Sequence, residues 1–305
     1  MDGGWYRAIA LDWYDRRGSK GGIGEYPFFP LFPSAGGALM RLGVPSTVAL
    51  AGLAWVGALA AMAGARLLTA RHFGERAARL APWVIALAPG GLSLILGYSD
   101  SLYLAALIWA VVAVDQRRWW VAGVLAALAT ASRPNGAIAM IAVVAIAIGL
   151  HATRRQLAAL VLPSIMFLAV WMTYIGWTTG EPLLFWTAKS AWLETTLLEF
   201  AAHPFRQPLA LFHVACFLVL LVPYLSRARR QPVAWSVVVF LGVMPALALG
   251  IVGLARYAIL AFPLPLVAAA VLSERPKWVQ VVALSGSALA LMIFARLLVT
   301  QSWVP

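Results

Sequence analysis

The sequence has little charge. Only 11% of its 305 residues are Asp, Glu, Lys or Arg, whereas 63% are hydrophobic and the mean hydropathy is +0.86. Soluble domains carry about 25% charged residues because their surfaces face water, so the composition excludes a soluble globular protein and also a disordered chain. The apolar stretches are continuous rather than alternating, which favours helices. An integral membrane protein of the all-α class is predicted.

Cysteine and metal-ligand patterns are also scarce. Cys216 is the single cysteine, which excludes an intrachain disulfide and a thiolate cluster. The four histidines show no metal-ligand spacing, so we expect no metal. The Gly-rich stretch 18–24 lacks the phosphate-loop spacing and is interpreted as a flexible loop. Lysine is rare, at 3 residues against 20 Arg, a bias that is typical of GC-rich coding and indicates a bacterial plasma membrane.

Ten apolar segments follow residues 1–43, a stretch rich in Gly, Pro and aromatic residues. The segments are about 44–68, 80–96, 101–114, 119–132, 137–150, 157–177, 208–225, 233–252, 256–272 and 279–298. A helical crossing takes about 20 residues, so three of them are short: they either line a water-filled cavity or extend into their flanks. The sequence Arg-Pro-Asn-Gly at 133–136 predicts a break. We therefore predict an extracytoplasmic loop with interfacial helices over 1–43 and a transmembrane domain over 44–305, with an outer loop at 178–207.

The distribution of charge between the loops predicts the topology. Loops after the odd-numbered segments hold 13 basic and three acidic residues, whereas the rest of the chain holds ten basic and eight acidic ones. The positive-inside rule therefore makes the first set cytoplasmic. The excess of basic residues in the cytoplasmic loops then accounts for most of the net charge of +12, and no nucleic-acid partner is expected. The outer face holds residues 1–43, the turns at 97–100 and 133–136, the loop 178–207 and Arg256.

Acidic residues gather on the predicted outer face, where two interpretations stay open. They are Asp2, Asp12, Asp15, Glu25, Asp100, Glu181, Glu194 and Glu199. One interpretation is a solvated surface, and the other is an extracytoplasmic active site that uses carboxylate chemistry. Arg133 and Arg256 lie at membrane depth, where an unpaired cation is costly. Each either snorkels or pairs with Asp100, or it binds a phosphate, which a guanidinium matches with two hydrogen bonds.

Six short motifs occur in an order that resembles a known family. They are Asp-Gly-Gly-Trp-Tyr-Arg-Ala-Ile-Ala at 2–10, Phe-Phe-Pro-Leu-Phe-Pro at 28–33, Ser-Asp-Ser-Leu-Tyr at 99–103, Ser-Arg-Pro-Asn-Gly at 132–136, Gly-Glu-Pro-Leu-Leu-Phe at 180–185 with Trp192, and Arg256-Tyr257 before Phe262-Pro263. In this order they resemble the GPI mannosyltransferase II (PIG-V type) family and its bacterial relatives, which have the GT-C fold. The resemblance extends from residue 2 to about residue 266.

The resemblance implies a glycosyltransferase of the hexosyltransferase class. It would move a sugar, most often mannose, from a polyprenyl-phosphate donor to a hydroxyl of a glycolipid or glycan acceptor at the outer membrane face, with inversion and without metal or nucleotide cofactor. Asp2 would be the general base. Arg133, Arg256 and, less directly, Lys189 would bind the donor phosphate. The residues expected to line the site are Trp5, Tyr6, Asp100, Asn135 and Tyr257.

The sequence departs from the family at its amino end. Met1 stands where the family has Trp, Trp13-Tyr14 replaces Gly-Tyr, and the family's first transmembrane helix is missing before Asp2. We therefore expect either a true start further upstream or a truncated, inactive paralogue. Two other functions stay open. A transporter or flippase of lipid-linked saccharide predicts internal repeats and broken helices, and a non-catalytic membrane scaffold would need no site.

Overall fold

The computed structural model describes residues 2–14, 25–188 and 197–300, with the backbone alone at Asp2, Leu249, Val299 and Thr300. All regular secondary structure in these ranges is helical. The chain divides into two compact units, Met1–Leu59 with Leu94–Leu193, and Ala60–Ser93 with Glu194–Pro305. The all-α class predicted from composition is confirmed for the residues that the structure describes.

The first unit packs around α6, which contacts both α5 and α8. Its helices are α1 (Asp2–Asp12), α2 (Leu31–Arg41), the first half of α3 (Ser46–Phe73), α5 (Asp100–Asp115), α6 (Trp119–Ser132), α7 (Ala137–Gly149), α8 (Arg154–Thr179) and the single turn α9 (Leu184–Thr187). Gly123 lets α6 approach α8, because a Cβ there would lie 2.1 Å from the Ala159 carbonyl oxygen. Small residues at such crossings are typical of helices that pack within membranes.

The break predicted at 133–136 is present in the structure. Helix α6 ends at Ser132, a 3-10 turn covers Pro134–Gly136, and α7 begins at Ala137. Arg133 is extended (φ −158°, ψ 153°), since the ring of a following proline disfavours the helical conformation. Both helices are shorter than the hydrocarbon core: 14 and 13 residues at a rise of 1.5 Å each make about 21 and 20 Å, against about 30 Å.

The second unit holds the remaining helices. They are α4 (Glu75–Leu87), α10 (Leu197–Ala202), α11 (Pro208–Arg227), α12 (Val233–Leu249), α13 (Leu254–Leu260), α14 (Pro263–Ser273) and α15 (Lys277–Thr300), with the second half of α3. Within this unit α4 packs mainly against α14, and α11 packs against α13 and α14. The prediction of one continuous helix over 80–96 is wrong, because α4 ends at Leu87. Ala88 is extended before Pro89, and a 3-10 turn over Pro89–Leu94 follows.

The predicted segment 256–272 is likewise not one helix. Ile251–Leu260 and Pro263–Ser273 are bent by 69° relative to each other. Pro263 begins the second piece at a position where its missing N–H costs nothing, whereas inside a continuous helix it would remove a backbone hydrogen bond. Arg256 therefore lies on a short helix that ends one turn later, at Leu260.

Four helices in the described ranges are long and apolar enough to cross a membrane, or five if the bent pair counts as one span. The four are Ser46–Phe73, Arg154–Thr179, Pro208–Arg230 and Lys277–Leu298. Their surfaces expose large apolar side chains, such as Val56 and Leu59 on α3 and Val219 on α11, as expected of lipid-facing helices. Three further apolar helices are shorter, so ten crossings stay a prediction.

Candidate functional site

Helix α1 is fixed by an aromatic cluster in the first unit. Tyr6 is buried between two rings of the following segment, Phe28 at 5.1 Å and Phe32 at 4.9 Å between centroids, both edge to face. Trp5 also stacks on Phe28, with the ring centroids 6.0 Å apart. Edge-to-face pairs add about 0.5–1.5 kcal/mol each beyond the burial of area. The aromatic motifs at 2–10 and 28–33 thus pack against each other.

Helices α1 and α2 approach closely at a glycine. A Cβ on Gly37 would lie 2.7 Å from the Ala10 carbonyl oxygen, a distance that side chains do not adopt. By contrast, a Cβ on Gly4 would meet nothing within 4 Å. The contact at Gly37 therefore fixes the distance between α1 and α2, whereas Gly4 makes no comparable contact.

A hydrogen bond joins α1 to the turn at 97–100. The Tyr6 hydroxyl and the Ser99 hydroxyl lie 2.6 Å apart, and both residues are buried. One turn earlier, Gly3 lies against the same segment, with its Cβ position 3.8 Å from the Tyr98 ring. Asp2 begins α1, so its backbone lies beside this turn, while its side chain is outside the described part of the chain.

Asp100 and Arg133 form a buried ion pair between two of the predicted outer turns. The Asp100 side chain is fully buried and that of Arg133 is 9% exposed. Asp100 occupies the first turn of α5, where the partial positive charge of the helix end also stabilises a carboxylate. The Arg133 guanidinium lies 5.9 Å from the centroid of the Tyr103 ring. The sequence left pairing with Asp100 open as one alternative for Arg133, and the structure has that contact.

The segment after α8 returns to the aromatic cluster. Gly180 ends α8 in the left-handed conformation (φ 81°), and Pro182 packs back against α8 at Gly176. Phe185 then contacts Phe29 edge to face at 5.4 Å. The motif at 180–185 therefore lies beside the motif at 28–33. Lys189 and Trp192 follow outside the described residues.

Arg256 and Tyr257 belong to the second unit, where both are half-buried on α13. The 3-10 turn after α4 packs tightly here, because a Cβ on Gly90 would lie 2.0 Å from the Ala255 carbonyl oxygen. The structure thus brings together α1 with Trp5 and Tyr6, the turn with Asp100, the 3-10 turn with Arg133 and Asn135, and the segment 180–188. It describes Arg256 and Tyr257 within a separate unit.

Four aromatic residues of this region were not predicted as site residues. The Tyr14 hydroxyl donates to the Phe28 carbonyl, and the Trp13 indole N–H donates to the Tyr174 hydroxyl at 2.6 Å. Trp171 stacks on Tyr174 at 5.3 Å. Burial raises the pKa of Tyr14 well above 10.0, with smaller contributions from neighbouring phenols. The signal available in the sequence was the pair Trp13-Tyr14, at a position where the sequence departs from the family pattern that it resembles.

Carboxylates, histidines and the cysteine do not cluster in the described part of the chain. Among those residues, no three of them lie close enough to hold a metal ion. The side chains of Asp2, Asp15 and Glu194 are outside that set.

The fold is similar to that of a much larger enzyme. The crystal structure of the Archaeoglobus fulgidus oligosaccharyltransferase, in complex with Zn and sulfate, matches with a TM-score of 0.52 and 15% identity. The match covers 95% of this chain and 48% of that one, so this chain spans about half the length of its neighbour. No protein-family model and no curated protein sequence matches the chain. At this identity the likeness shows the fold alone, which is the GT-C type.

Proposed function

We propose that this protein is a membrane glycosyltransferase that takes a sugar from a polyprenyl-phosphate donor. The observation that carries the proposal is the GT-C type of fold, together with the packing of five sequence motifs in one unit of it. These motifs lie in α1, at 28–33, at 99–103, at 132–136 and at 180–185. They are distant in sequence, and simple membrane anchoring would not require them to converge.

The proposed reaction is a direct displacement. An acceptor hydroxyl attacks the anomeric carbon, and the bond from that carbon to the phosphate oxygen breaks, so the configuration inverts. Asp2 takes the hydroxyl proton, since an alcohol is a poor nucleophile until a base removes that proton in the transition state. Polyprenyl phosphate leaves with the electron pair. We propose mannose as the sugar and a glycolipid or glycan as the acceptor, with the site on the outer membrane face.

Cations stabilise the charge that the leaving phosphate gains. We propose Arg256 and Lys189 for this role, together with Arg133. Arg133 already shares its charge with Asp100, so its guanidinium is held in one position before the donor binds. Such preorganised charge acts without reorganisation during the reaction, which is the property that transition-state stabilisation needs. Trp5, Tyr6, Asn135 and Tyr257 would line the site.

The test is transfer of radiolabelled mannose from polyprenyl-phosphate mannose to endogenous acceptors in membranes that contain the full chain. Asp2→Asn is expected to lower the initial rate by at least about 100-fold, the lower range for loss of a general base. Asp12→Asn is the matched control, because Asp12 is exposed at the other end of the same helix. Equal rates for wild type and Asp2→Asn would remove Asp2 from the mechanism.

A transporter or flippase of lipid-linked saccharide is the second candidate. The 69° bend between Ile251–Leu260 and Pro263–Ser273 favours it, because transporters bind substrates at discontinuous helices. A flippase moves the intact donor from one membrane leaflet to the other without breaking the sugar–phosphate bond. Translocation of fluorescent donor in proteoliposomes, with no release of polyprenyl phosphate, would therefore support the transporter and contradict the transferase.

A further inference from the structure

The second unit contains an apolar cavity of about 600 Å³ between α4, α11, α14 and α15. Its walls are formed by side chains such as Val84, Phe212, Leu220, Ala268 and Val282. Ser287 also lines it, but its hydroxyl donates to the Leu87 carbonyl at 3.0 Å and so is satisfied. A ligand in this cavity would gain van der Waals contacts and would be removed from water, but it would form almost no hydrogen bonds with such a lining.

The length of the cavity matches one leaflet of a membrane. On α11 the lining runs from Phe212 to Pro223, which is about 16 Å at a rise of 1.5 Å per residue. Half of a hydrocarbon core of about 30 Å is about 15 Å. Both α11 and α15 are among the helices able to cross a membrane. The cavity therefore has the reach of one acyl chain.

One end of the cavity is cationic. Arg275 lines it and is itself exposed. The neighbouring Glu274 accepts a hydrogen bond from Arg227, which lowers the pKa of Glu274, and the positive charges of Arg227, Arg230 and Arg275 add to that effect. One carboxylate thus faces several guanidinium groups. An anionic headgroup complements this end, because basic residues near a membrane surface attract anionic lipids.

We propose that this cavity binds one anionic phospholipid, with an acyl chain inside the cavity and the phosphate at Arg275. The charge distribution of the sequence predicts that Arg275 faces the cytoplasm, opposite to the predicted side of the transfer site. The lipid is therefore a second ligand and not the sugar donor. The proposal does not depend on the proposed transfer reaction.

Two substitutions separate the two halves of this site. Arg275→Gln removes the charge and leaves the cavity. Gly286→Leu fills the cavity and leaves the charge, because Gly286 lines it and a Cβ there meets nothing within 4 Å. Leu also has a higher helix propensity than Gly, so this change favours the fold of α15. Ala290→Leu is a second filling variant on the same helix.

The test is native mass spectrometry of the purified full chain, titrated with dioleoylphosphatidylglycerol or dioleoylphosphatidylcholine. We expect tighter binding of phosphatidylglycerol, and Arg275→Gln is expected to weaken it by about fivefold, since one basic residue contributes about 1 kcal/mol. The filling variants are expected to weaken binding of both lipids. Arg71→Gln is the matched control, because Arg71 is an exposed cation of the same unit that does not line the cavity.

Three results would overturn the proposal. The first is equal affinity of the wild type for both lipids, and the second is equal loss of binding in Arg275→Gln and Arg71→Gln. The third is a lipid-free dimer that dissociates in the filling variants, which would make a second copy the occupant. Circular dichroism and size-exclusion chromatography show whether each variant is folded, and Arg275→Gln tests the headgroup contact without filling the cavity.

Discussion

At the scale of single residues, the buried ion pair of Asp100 and Arg133 lies in the candidate site and also bears on the stability of the fold. Each charge lies where an uncompensated ion would be costly, and each reduces the cost of the other. The pair joins the start of α5 to the turn after α6. The sequence identified both residues and the possibility that they pair. It could not decide between that contact and a phosphate ligand, because the choice depends on the distance between two turns.

The first prediction concerns this pair. Asp100→Asn is expected to destabilise the protein by about 3–5 kcal/mol, because Arg133 would be left as a buried charge without its carboxylate. Arg66→Gln is the control, since Arg66 and Glu75 form an exposed pair at 2.7 Å whose loss is expected to cost less than about 1 kcal/mol. Equilibrium unfolding in detergent measures both. Equal effects would contradict the burial of the first pair.

The second prediction concerns Tyr14. Burial raises its pKa above 10.0 in the folded protein, so the unfolded chain loses the phenolic proton first as the pH rises. The stabilising contribution is therefore complete below about pH 10 and is lost as the pH rises through the folded pKa. Tyr14→Phe is expected to flatten the decline in stability above about pH 10. Unfolding curves for both proteins from neutral to alkaline pH check this, and parallel declines would contradict it.

At the scale of elements, proline decided which helices the sequence predicted correctly. Segment 119–132 has the bounds of α6, and 137–150 is one residue longer than α7, because Pro134 was recognised as a break. Segments 80–96 and 256–272 are wrong as single helices because they run through Pro89 and Pro263, where the structure has breaks. The same steric rule acts at Ala88 and Arg133, which are both extended before proline.

The third prediction tests the contact between α1 and α2. Gly37→Val is expected to push α1 away from α2, since any Cβ there approaches the Ala10 carbonyl to 2.7 Å. This shift also disturbs the hydrogen bond between the Tyr6 and Ser99 hydroxyls, so mannose transfer is expected to fall by at least about tenfold, with the protein still inserted. Gly4→Ala, on the open side of α1, is expected to retain the wild-type rate. Loss of transfer in both variants would contradict the specific role of this contact.

At the scale of the whole molecule, composition and charge predict a helical membrane protein. They do not predict its division into two units or the cavity in the second unit. The all-α class and the membrane-capable helices are read from local sequence. The two units and the cavity in the second depend on contacts between residues far apart in the chain, such as Ser287 with Leu87. No local pattern reports such contacts. Ten crossings and the orientation stay predictions.

The fourth prediction tests that orientation. Cys216 is the single cysteine, so Cys216→Ala gives a background without thiols. In this background, Glu181→Cys is expected to react with a membrane-impermeant maleimide in intact cells, and Arg118→Cys only after permeabilisation. Both positions are exposed in the structure. The reverse pattern of labelling would put the basic loops outside and contradict an outer-face site.

The central proposal is that Asp2 and the guanidinium group of Arg133, both in the first unit, act on one lipid-linked sugar. Its most direct test is a cryo-electron microscopy structure of the full chain with polyprenyl-phosphate mannose bound to the Asp2→Asn variant. We expect a phosphate oxygen within about 3 Å of the Arg133 guanidinium, and the side chain at position 2 facing the anomeric carbon. A phosphate bound away from Arg133, with position 2 remote from the sugar, would contradict the proposal.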